Sequence, residues 1–155
     1  MFDASWDEDD EGDGWRQWTW QTCTEFGWYQ TTNPTSGMFG NSLPLEYFEQ
    51  ECRDVFGQKE FSHENMEKYI ASSNIEYGGF EPIVDNIVFV HGSMDPWHPM
   101  GVLKDLHEGA PSILIPGTSH CADMLPDEYS DPEELTAARI KIGQLIKGWV
   151  KNARK

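Results

Sequence analysis

Residues 86–91 (NIVFVH) and 112–116 (SILIP) are the two stretches that decide the fold class of this chain. Both are short, continuous apolar runs rich in β-branched residues, a pattern typical of strands that are buried on both faces of a sheet. A short helix is predicted between them, over residues 99–106, and a longer helix follows them. Buried strands that alternate with helices predict a parallel sheet, and therefore an α/β fold.

The longer helix carries its own start and packing signals. Asp131 suits the N-cap and Pro132 suits the first helical position. The helix has one apolar stripe, which we expect to pack on the sheet. Its members are Leu135, Ala138, Ile142, Leu145, Ile146 and Trp149.

The first half of the chain predicts one strand and two helices. Residues 16–25 (RQWTWQTCTE) alternate, with aromatic residues and Thr on one side, which favours a strand. The spacing of apolar residues predicts a helix over Leu45–Phe56, and a second helix is expected from its N-cap Ser62 to Ser72. Residues 1–14 are rich in Asp and Glu and contain no Lys or Arg, so we expect an acidic flexible segment.

The charge of the chain excludes two classes of partner. Its formal net charge is −16 and its isoelectric point is about 4.4, whereas phosphate binding needs clustered Lys and Arg. We therefore expect no nucleic-acid partner. We also expect no membrane partner, because an anionic surface repels an acidic protein and no stretch reaches the roughly 20 apolar residues of a membrane span.

Each predicted strand is followed by a polar loop. Residues 91–98 (HGSMDPWH) contain Asp95, and residues 117–124 (GTSHCADM) contain His120. Both loops lie at the carboxyl ends of parallel strands, where open α/β sheets display functional groups. A carboxylate followed along the chain by an imidazole is the order found in the Ser-Asp-His triad of α/β hydrolases. In that triad the imidazole takes the serine proton, and the carboxylate fixes its tautomer.

Other uses of these loop residues stay open at this point. Asp95 also suits a turn or a helix cap, and a single loop His is often a surface residue. Cys121 adjoins His120, but neighbouring residues on an extended loop point apart, so we expect a structural thiol. The loops could offer metal ligands, but no pair has zinc-motif spacing, so we expect neither a metal nor another cofactor. The residues considered for metal are His91, Asp95, His98, Cys121 and Asp123.

A nucleophile motif is missing from these residues. No Gly-x-Ser-x-Gly occurs, and Ser93 and Ser119 lie in the two loops rather than on a strand-to-helix elbow. Residues 1–14 also lack the basic start and apolar middle of a signal peptide. We expect both the elbow and a signal peptide to lie before Met1, so the chain alone should be inactive.

Three cysteines are present, namely Cys23, Cys52 and Cys121, so at least one thiol is unpaired. A bridge between Cys23 and Cys52 would close a loop of about 30 residues and contribute about 3–4 kcal/mol. Spacing alone leaves the pairing open.

Three motifs in order carry a family resemblance: residues 16–27 (RQWTWQTCTEFG), 92–97 (GSMDPW) and 117–124 (GTSHCADM). They resemble the family of lysosomal Pro-X carboxypeptidase, dipeptidyl peptidase II and thymus-specific serine protease. The resemblance covers about residues 15–150. It implies that residues 15–155 are the C-terminal part of a single α/β-hydrolase domain with an incomplete sheet.

The resemblance also implies an activity and a set of site residues. The protein would be a serine exopeptidase acting on peptides with proline near a terminus, and the full-length protein could form a homodimer. Asp95 and His120 would be the triad acid and base, while Trp97 and Trp28 would line the substrate pocket. Cys23 would pair with Cys52, and the full-length protein would be lysosomal or secreted.

Two other functions are compatible with the residues. The first is a catalytically inactive family member that uses the remnant site as a binding or regulatory surface. The second is a complete small domain of unrelated function. A Gly-x-Ser-x-Gly encoded in frame before Met1 would favour the enzyme over the inactive relative.

Overall fold

The computed structural model describes residues 14–33, 35 and 37–153, so the acidic segment lies outside the described residues except for Gly14. The chain divides into two compact units, Met1–Gly79 and Phe80–Lys155. The sequence expectation that residues 15–155 belong to one domain stays a prediction. Within the described residues, no helix combines the length and apolarity needed to cross a membrane.

The first unit is helical. Helix α1 spans Trp15–Gln21 and continues as a π-helical turn over Thr22–Phe26, helix α2 spans Leu45–Phe56, and helix α3 spans His63–Tyr77. The predicted bounds of α2 are confirmed. Ser62 caps α3 as predicted, because its hydroxyl oxygen accepts a hydrogen bond from the N–H of Asn65 at 3.3 Å.

The predicted end of α3 at Ser72 is wrong, since the helix continues to Tyr77. It stops at Gly78, which has a left-handed φ of 85°. A glycine at this position ends a helix at little steric cost.

The predicted strand over residues 16–25 is wrong, because this stretch is helical. Its buried residues are Thr19, Thr22 and Cys23, which recur every three to four positions rather than every two. The helical conformation satisfies the Thr hydroxyls by letting them bond back to the previous turn, as Thr19 does to the carbonyl of Trp15 at 2.9 Å. Packing of one helical face therefore outweighs the strand preference of the aromatic residues and Thr.

A disulfide lies at the centre of the first unit. Cys23 and Cys52 are bridged, with their Cα atoms 5.9 Å apart, and this is the pair for which the resemblance implies a bond. Both residues are at most 1% exposed. The ring of Trp20 packs edge-on against the ring of Phe61 at 5.5 Å. The core cluster consists of Cys23, Cys52, Phe61 and Met66.

The second unit contains the predicted parallel sheet. Strand β1 spans Phe89–Gly92 and strand β2 spans Ser112–Ile115, and they pair in parallel from Phe89 opposite Ser112 to Gly92 opposite Ile115. Helix α4 spans Glu133–Ala153 and packs Leu135 and Ala138 of its predicted stripe on this sheet, whereas Ile146 of the stripe is 48% exposed. The α/β class is therefore confirmed. The core cluster is formed by Ile115, Leu135 and Ala138, with Val90, Ile113 and Ala122 packed against it.

Strand β2 is buried on one face rather than on both as predicted. Ile115 faces the core and is 2% exposed, whereas its neighbour Leu114 is 45% exposed. Strand β1 also begins later than predicted, at Phe89, and Asn86, predicted as its first residue, has a left-handed φ of 57° that an extended strand does not accommodate.

The predicted helix over residues 99–106 is wrong, since only a single 3₁₀ turn forms at His98–Met100. After it the chain is held against the start of β2 by Ser112. The hydroxyl of Ser112 donates to the carbonyl of Val102 at 2.7 Å, and its N–H donates to the carboxylate of Asp105 at 2.7 Å. These bonds extend the segment and prevent further helical turns.

Helix α4 begins at Glu133, directly after Pro132. The carboxylate of Asp131, predicted as the N-cap, accepts hydrogen bonds from the N–H of Glu128 at 2.9 Å and from the guanidinium of Arg139. Asp131 therefore links the turn before the helix to the second turn of the helix itself.

Candidate active site

Two loops leave the sheet at its carboxyl edge, the β1 loop (residues 93–97) and the β2 loop (residues 116–124). Gly92, the last residue of β1, lies directly against the β2 loop. A Cβ atom at Gly92 would lie within 2.5 Å of the carbonyl oxygens of Thr118 and Ser119. Only glycine permits this approach without displacing one of the two backbones.

Three hydrogen bonds tie the β1 loop to the end of strand β2 and to the β2 loop. The N–H of Ser93 donates to the carbonyl of Ile115 at 3.0 Å, and the N–H of Met94 donates to the carbonyl of Thr118 at 2.9 Å. In the opposite direction, the N–H of Gly117 donates to the hydroxyl oxygen of Ser93 at 2.8 Å. The relative placement of the loops is therefore fixed by backbone geometry as well as by the sheet.

This scaffold brings Asp95 and His120 together. Oδ2 of Asp95 lies 2.7 Å from Nδ1 of His120, and Oδ1 of Asp95 accepts a hydrogen bond from the N–H of Trp97 at 2.9 Å. Asp95 is buried, at 6% exposure, whereas the side chain of His120 is 63% exposed. A fixed, buried carboxylate thus holds an imidazole whose other edge is open to an incoming group.

The environment of Asp95 favours its ionised form. Burial raises the pKa of this carboxyl, but the hydrogen bonds from the N–H of Trp97 and from His120 outweigh burial, and the pKa lies below its usual value. Asp95 therefore stays negatively charged in a mildly acidic compartment.

A carboxylate is only an acceptor, so the bond between Asp95 and His120 requires the proton to be on Nδ1. This leaves Nε2 as the ring nitrogen that can accept a proton from a nearby hydroxyl. The negative charge of Asp95 then stabilises the resulting imidazolium. The arrangement is chemically suited to general-base activation of an alcohol.

The predicted substrate-binding residues lie in different units. Trp97 is on the β1 loop, partly buried, and its backbone N–H helps to fix Asp95. Trp28 belongs to the first unit and is 37% exposed.

The loop residues that were considered as metal ligands or as a nucleophile have the following surroundings. Nδ1 of His98 lies 2.7 Å from the backbone carbonyl of Asp95, and the ring of His91 packs directly against Gly101. Cys121 is an exposed free thiol. Among the described residues, no group of three or more His, Cys, Asp or Glu is placed to hold a metal ion.

Sequence reasoning missed residues that position the pair without belonging to it. Gly92 and Ser93 join the loops, and Arg139 contacts the β2 loop from helix α4. A glycine that directly ends a buried strand is a signal of close backbone approach and could have identified Gly92. The contact of Arg139 had no such signal, because it depends on how the helix returns to the loop.

The fold and the loop geometry define an α/β protein with a carboxylate–imidazole pair at the carboxyl edge of its sheet, and comparison with known proteins gives the family. The family model described as serine carboxypeptidase S28 matches residues 2–142. This chain belongs to the serine carboxypeptidase S28 family. The match includes the acidic segment, which the resemblance based on the three motifs did not cover.

Individual relatives agree with this assignment. The chain is 40% identical over 144 residues to the thymus-specific serine protease of Mus musculus, covering 93% of this chain and 28% of the relative. It is 37% identical over 143 residues to the human thymus-specific serine protease, covering 92% of this chain and 27% of the relative. It is 28% identical over 134 residues to the lysosomal Pro-X carboxypeptidase of Mus musculus, covering 86% of this chain and 26% of the relative. The chain thus spans about a quarter of the length of these relatives.

Proposed function

We propose that this chain supplies the acid and base of a Ser-Asp-His triad in a serine exopeptidase that cleaves peptides near proline. The observation that carries the proposal is the 2.7 Å contact between Oδ2 of Asp95 and Nδ1 of His120. A histidine that served only as a surface residue would not need a buried carboxylate as its partner, nor a second hydrogen bond that fixes this carboxylate. In a member of a serine carboxypeptidase family, this pair has an immediate chemical use.

In the proposed reaction, Nε2 of His120 removes the proton of a serine hydroxyl as that oxygen attacks the scissile carbonyl. The imidazolium then gives the proton to the leaving amine, which leaves an acyl-enzyme. Water attacks the acyl carbonyl while Nε2 removes its proton, and the imidazolium returns that proton to the serine oxygen as the acyl bond breaks. Asp95 stays ionised throughout and keeps the imidazole in the productive tautomer. Residues 1–155 contain no Gly-x-Ser-x-Gly, so the proposal assigns the serine to a part of the protein outside them.

The preference for proline is supported by Trp97 and by a relative. Trp97 is two residues from Asp95 on the same loop, and a flat indole suits the rigid apolar ring of proline. One relative is named a Pro-X carboxypeptidase. The role that the resemblance implies for Trp28 stays a prediction.

A lysosomal or secreted location is part of the proposal. It is supported by the disulfide between Cys23 and Cys52, which suits an oxidising compartment. A relative named as lysosomal is consistent with it. Homodimerisation of the full-length protein stays a prediction.

The test is hydrolysis by the product of the complete coding sequence, with residues numbered as here. Peptides that differ only in proline or alanine at the second position from either end should be cleaved only when proline is present. A single residue released from the C-terminus would indicate a carboxypeptidase, and a dipeptide released from the N-terminus would indicate a dipeptidyl peptidase. Replacement of Trp97 by Ala should reduce the preference for proline while residual turnover persists.

Two variants control this assay. His120→Ala should abolish turnover, whereas His63→Gln, an exposed histidine of the first unit, should leave it unchanged. Turnover by the His120→Ala protein at the wild-type rate would exclude the proposed triad. A protein that binds these peptides without cleaving them would instead be the inactive relative.

A further inference from the structure

An arginine of helix α4 forms hydrogen bonds to the loop that carries His120. Arg139 lies in α4, and its side chain is 14% exposed. Its Nη2 donates to the carbonyl of Ala122 at 2.9 Å, and its Nε donates to the carbonyl of Asp123 at 3.2 Å. These carbonyls belong to the second and third residues after His120.

The opposite side of the guanidinium is held by carboxylates. Nη1 of Arg139 donates to Oδ2 of Asp131 and to Oδ1 of Asp127. Asp131 is 16% exposed and is itself fixed by the N–H of Glu128, whereas Asp127 is 88% exposed. Because exposed ion pairs contribute little, Asp131 is the partner that orients the guanidinium.

The backbone next to His120 needs such support. Cys121 has a left-handed φ of 54°, a conformation that non-glycine residues adopt only where the surroundings impose it. The chain then enters the 3₁₀ turn Ala122–Met124, whose first two carbonyls are the ones that Arg139 binds. Fixing that turn fixes the direction in which the backbone leaves His120.

We propose that Arg139 is a positioning residue for the proposed triad, acting through the β2 loop to keep Nδ1 of His120 within reach of Asp95. The inference rests on the proposed function, because it assigns a use to the His120 imidazole. Arg139 itself contacts neither Asp95 nor the side chain of His120. Its effect is confined to the geometry of the loop.

The test compares three substitutions in the product of the complete coding sequence. Arg139→Gln removes the charge and most of the donors. Arg139→Lys keeps the charge beside Asp131 but replaces the planar fork with a single ammonium group, so it cannot bind both carbonyls as Arg does. Lys141→Gln removes the same charge from an exposed position of the same helix and is the matched control.

The readout is the tautomer of His120, measured from the nitrogen-15 signals of labelled histidine, with the His120 signals identified by their loss in His120→Gln. In the wild type and in Lys141→Gln, Nδ1 should carry the proton and its hydrogen-bonded proton signal should be present. In both Arg139 variants that proton signal should be lost, and the Nδ1 and Nε2 signals should move towards those of a tautomer mixture. The kcat of both variants should fall while KM is retained.

A role of Arg139 confined to stability would lower the unfolding temperature without changing the tautomer or kcat of the folded protein. That result would overturn the inference and leave the proposed triad intact. If Arg139→Gln does not fold, Arg139→Lys carries the comparison. If the wild-type protein itself lacks the Nδ1 proton, both the triad and the inference are wrong.

Discussion

Gly92 and Ser119 approach so closely that a side chain at Gly92 would lie within 2.5 Å of the Ser119 carbonyl oxygen. Gly92 ends strand β1, and Ser119 directly precedes His120. The separation of these two backbones sets the separation of the loops that carry Asp95 and His120. The site therefore depends on a glycine that takes no part in the proposed chemistry.

Replacing Gly92 by Ala should separate the loops. Its Cβ would meet backbone carbonyls rather than the movable end of a side chain, so overpacking should cost about 1–3 kcal/mol of unfolding free energy. A displacement of about 1 Å at His120 should lower kcat about 100-fold. Urea unfolding and peptide turnover of the complete protein measure the two effects.

Gly143→Ala is the matched control for this substitution. Gly143 lies within helix α4, and a Cβ there meets no atom within 4 Å. The same chemical change should raise stability by about 0.5–1 kcal/mol and leave turnover unaltered. Equal turnover in Gly92→Ala and Gly143→Ala would contradict the importance of the close approach.

The disulfide of the first unit should contribute a large part of its stability. Cys23 and Cys52 are buried and close a loop of about 30 residues, so replacing both by Ala should lower the free energy of unfolding by about 3–4 kcal/mol. Guanidinium unfolding followed by tryptophan fluorescence measures the loss. Cys121→Ser, at an exposed free thiol, should leave the free energy of unfolding unchanged. A loss of stability in Cys121→Ser as large as in the protein without Cys23 and Cys52 would argue against the bridge.

Acid should remove the contribution of Asp131. The N–H of Glu128 and the guanidinium of Arg139 hold the pKa of Asp131 below the usual aspartate value of about 3.9. Because the pKa is lower in the folded state, the stabilisation is complete above about pH 4 and is lost as the pH falls through the folded-state value.

The stabilisation by Asp131 can be measured as a difference in unfolding temperature. Asp131→Asn should unfold at a lower temperature than the wild type at neutral pH, and this difference should shrink below about pH 4. Asp127→Asn, which removes the 88% exposed partner of Arg139, should show only a small difference at every pH. A difference for Asp131→Asn that is constant into strong acid would contradict the assigned role.

Much of the second unit could be predicted from its sequence because the signals there are local. The β-branched runs that include Phe89–Gly92 and Ser112–Ile115 form the parallel pair, and the first residues of the apolar stripe of α4, Leu135 and Ala138, pack against it. Two polar loops at the carboxyl edge of such a pair must be neighbours. This topological reason is why Asp95 and His120 could be named before any distance was known.

The errors occurred where contacts distant in sequence outweigh local preference. Residues 16–25 have the composition of a strand, but a helical face that buries Cys23 against Cys52 determines their structure. The helix expected after Pro99 ends within one turn because Ser112 holds the following segment extended. Arg139 reaches the β2 loop through the packing of α4, which no pattern near His120 reveals.

The most direct test of the central claim, that Asp95 and His120 act as one unit in turnover, is a double-mutant cycle on kcat of the complete protein. Asp95→Asn should lower kcat about ten-thousandfold through the wrong tautomer, and His120→Ala should lower it at least as much. The double mutant should be no slower than His120→Ala alone, because Asp95 has no imidazole left to orient. Losses that multiply in the double mutant would show that the two residues act separately and would contradict the account.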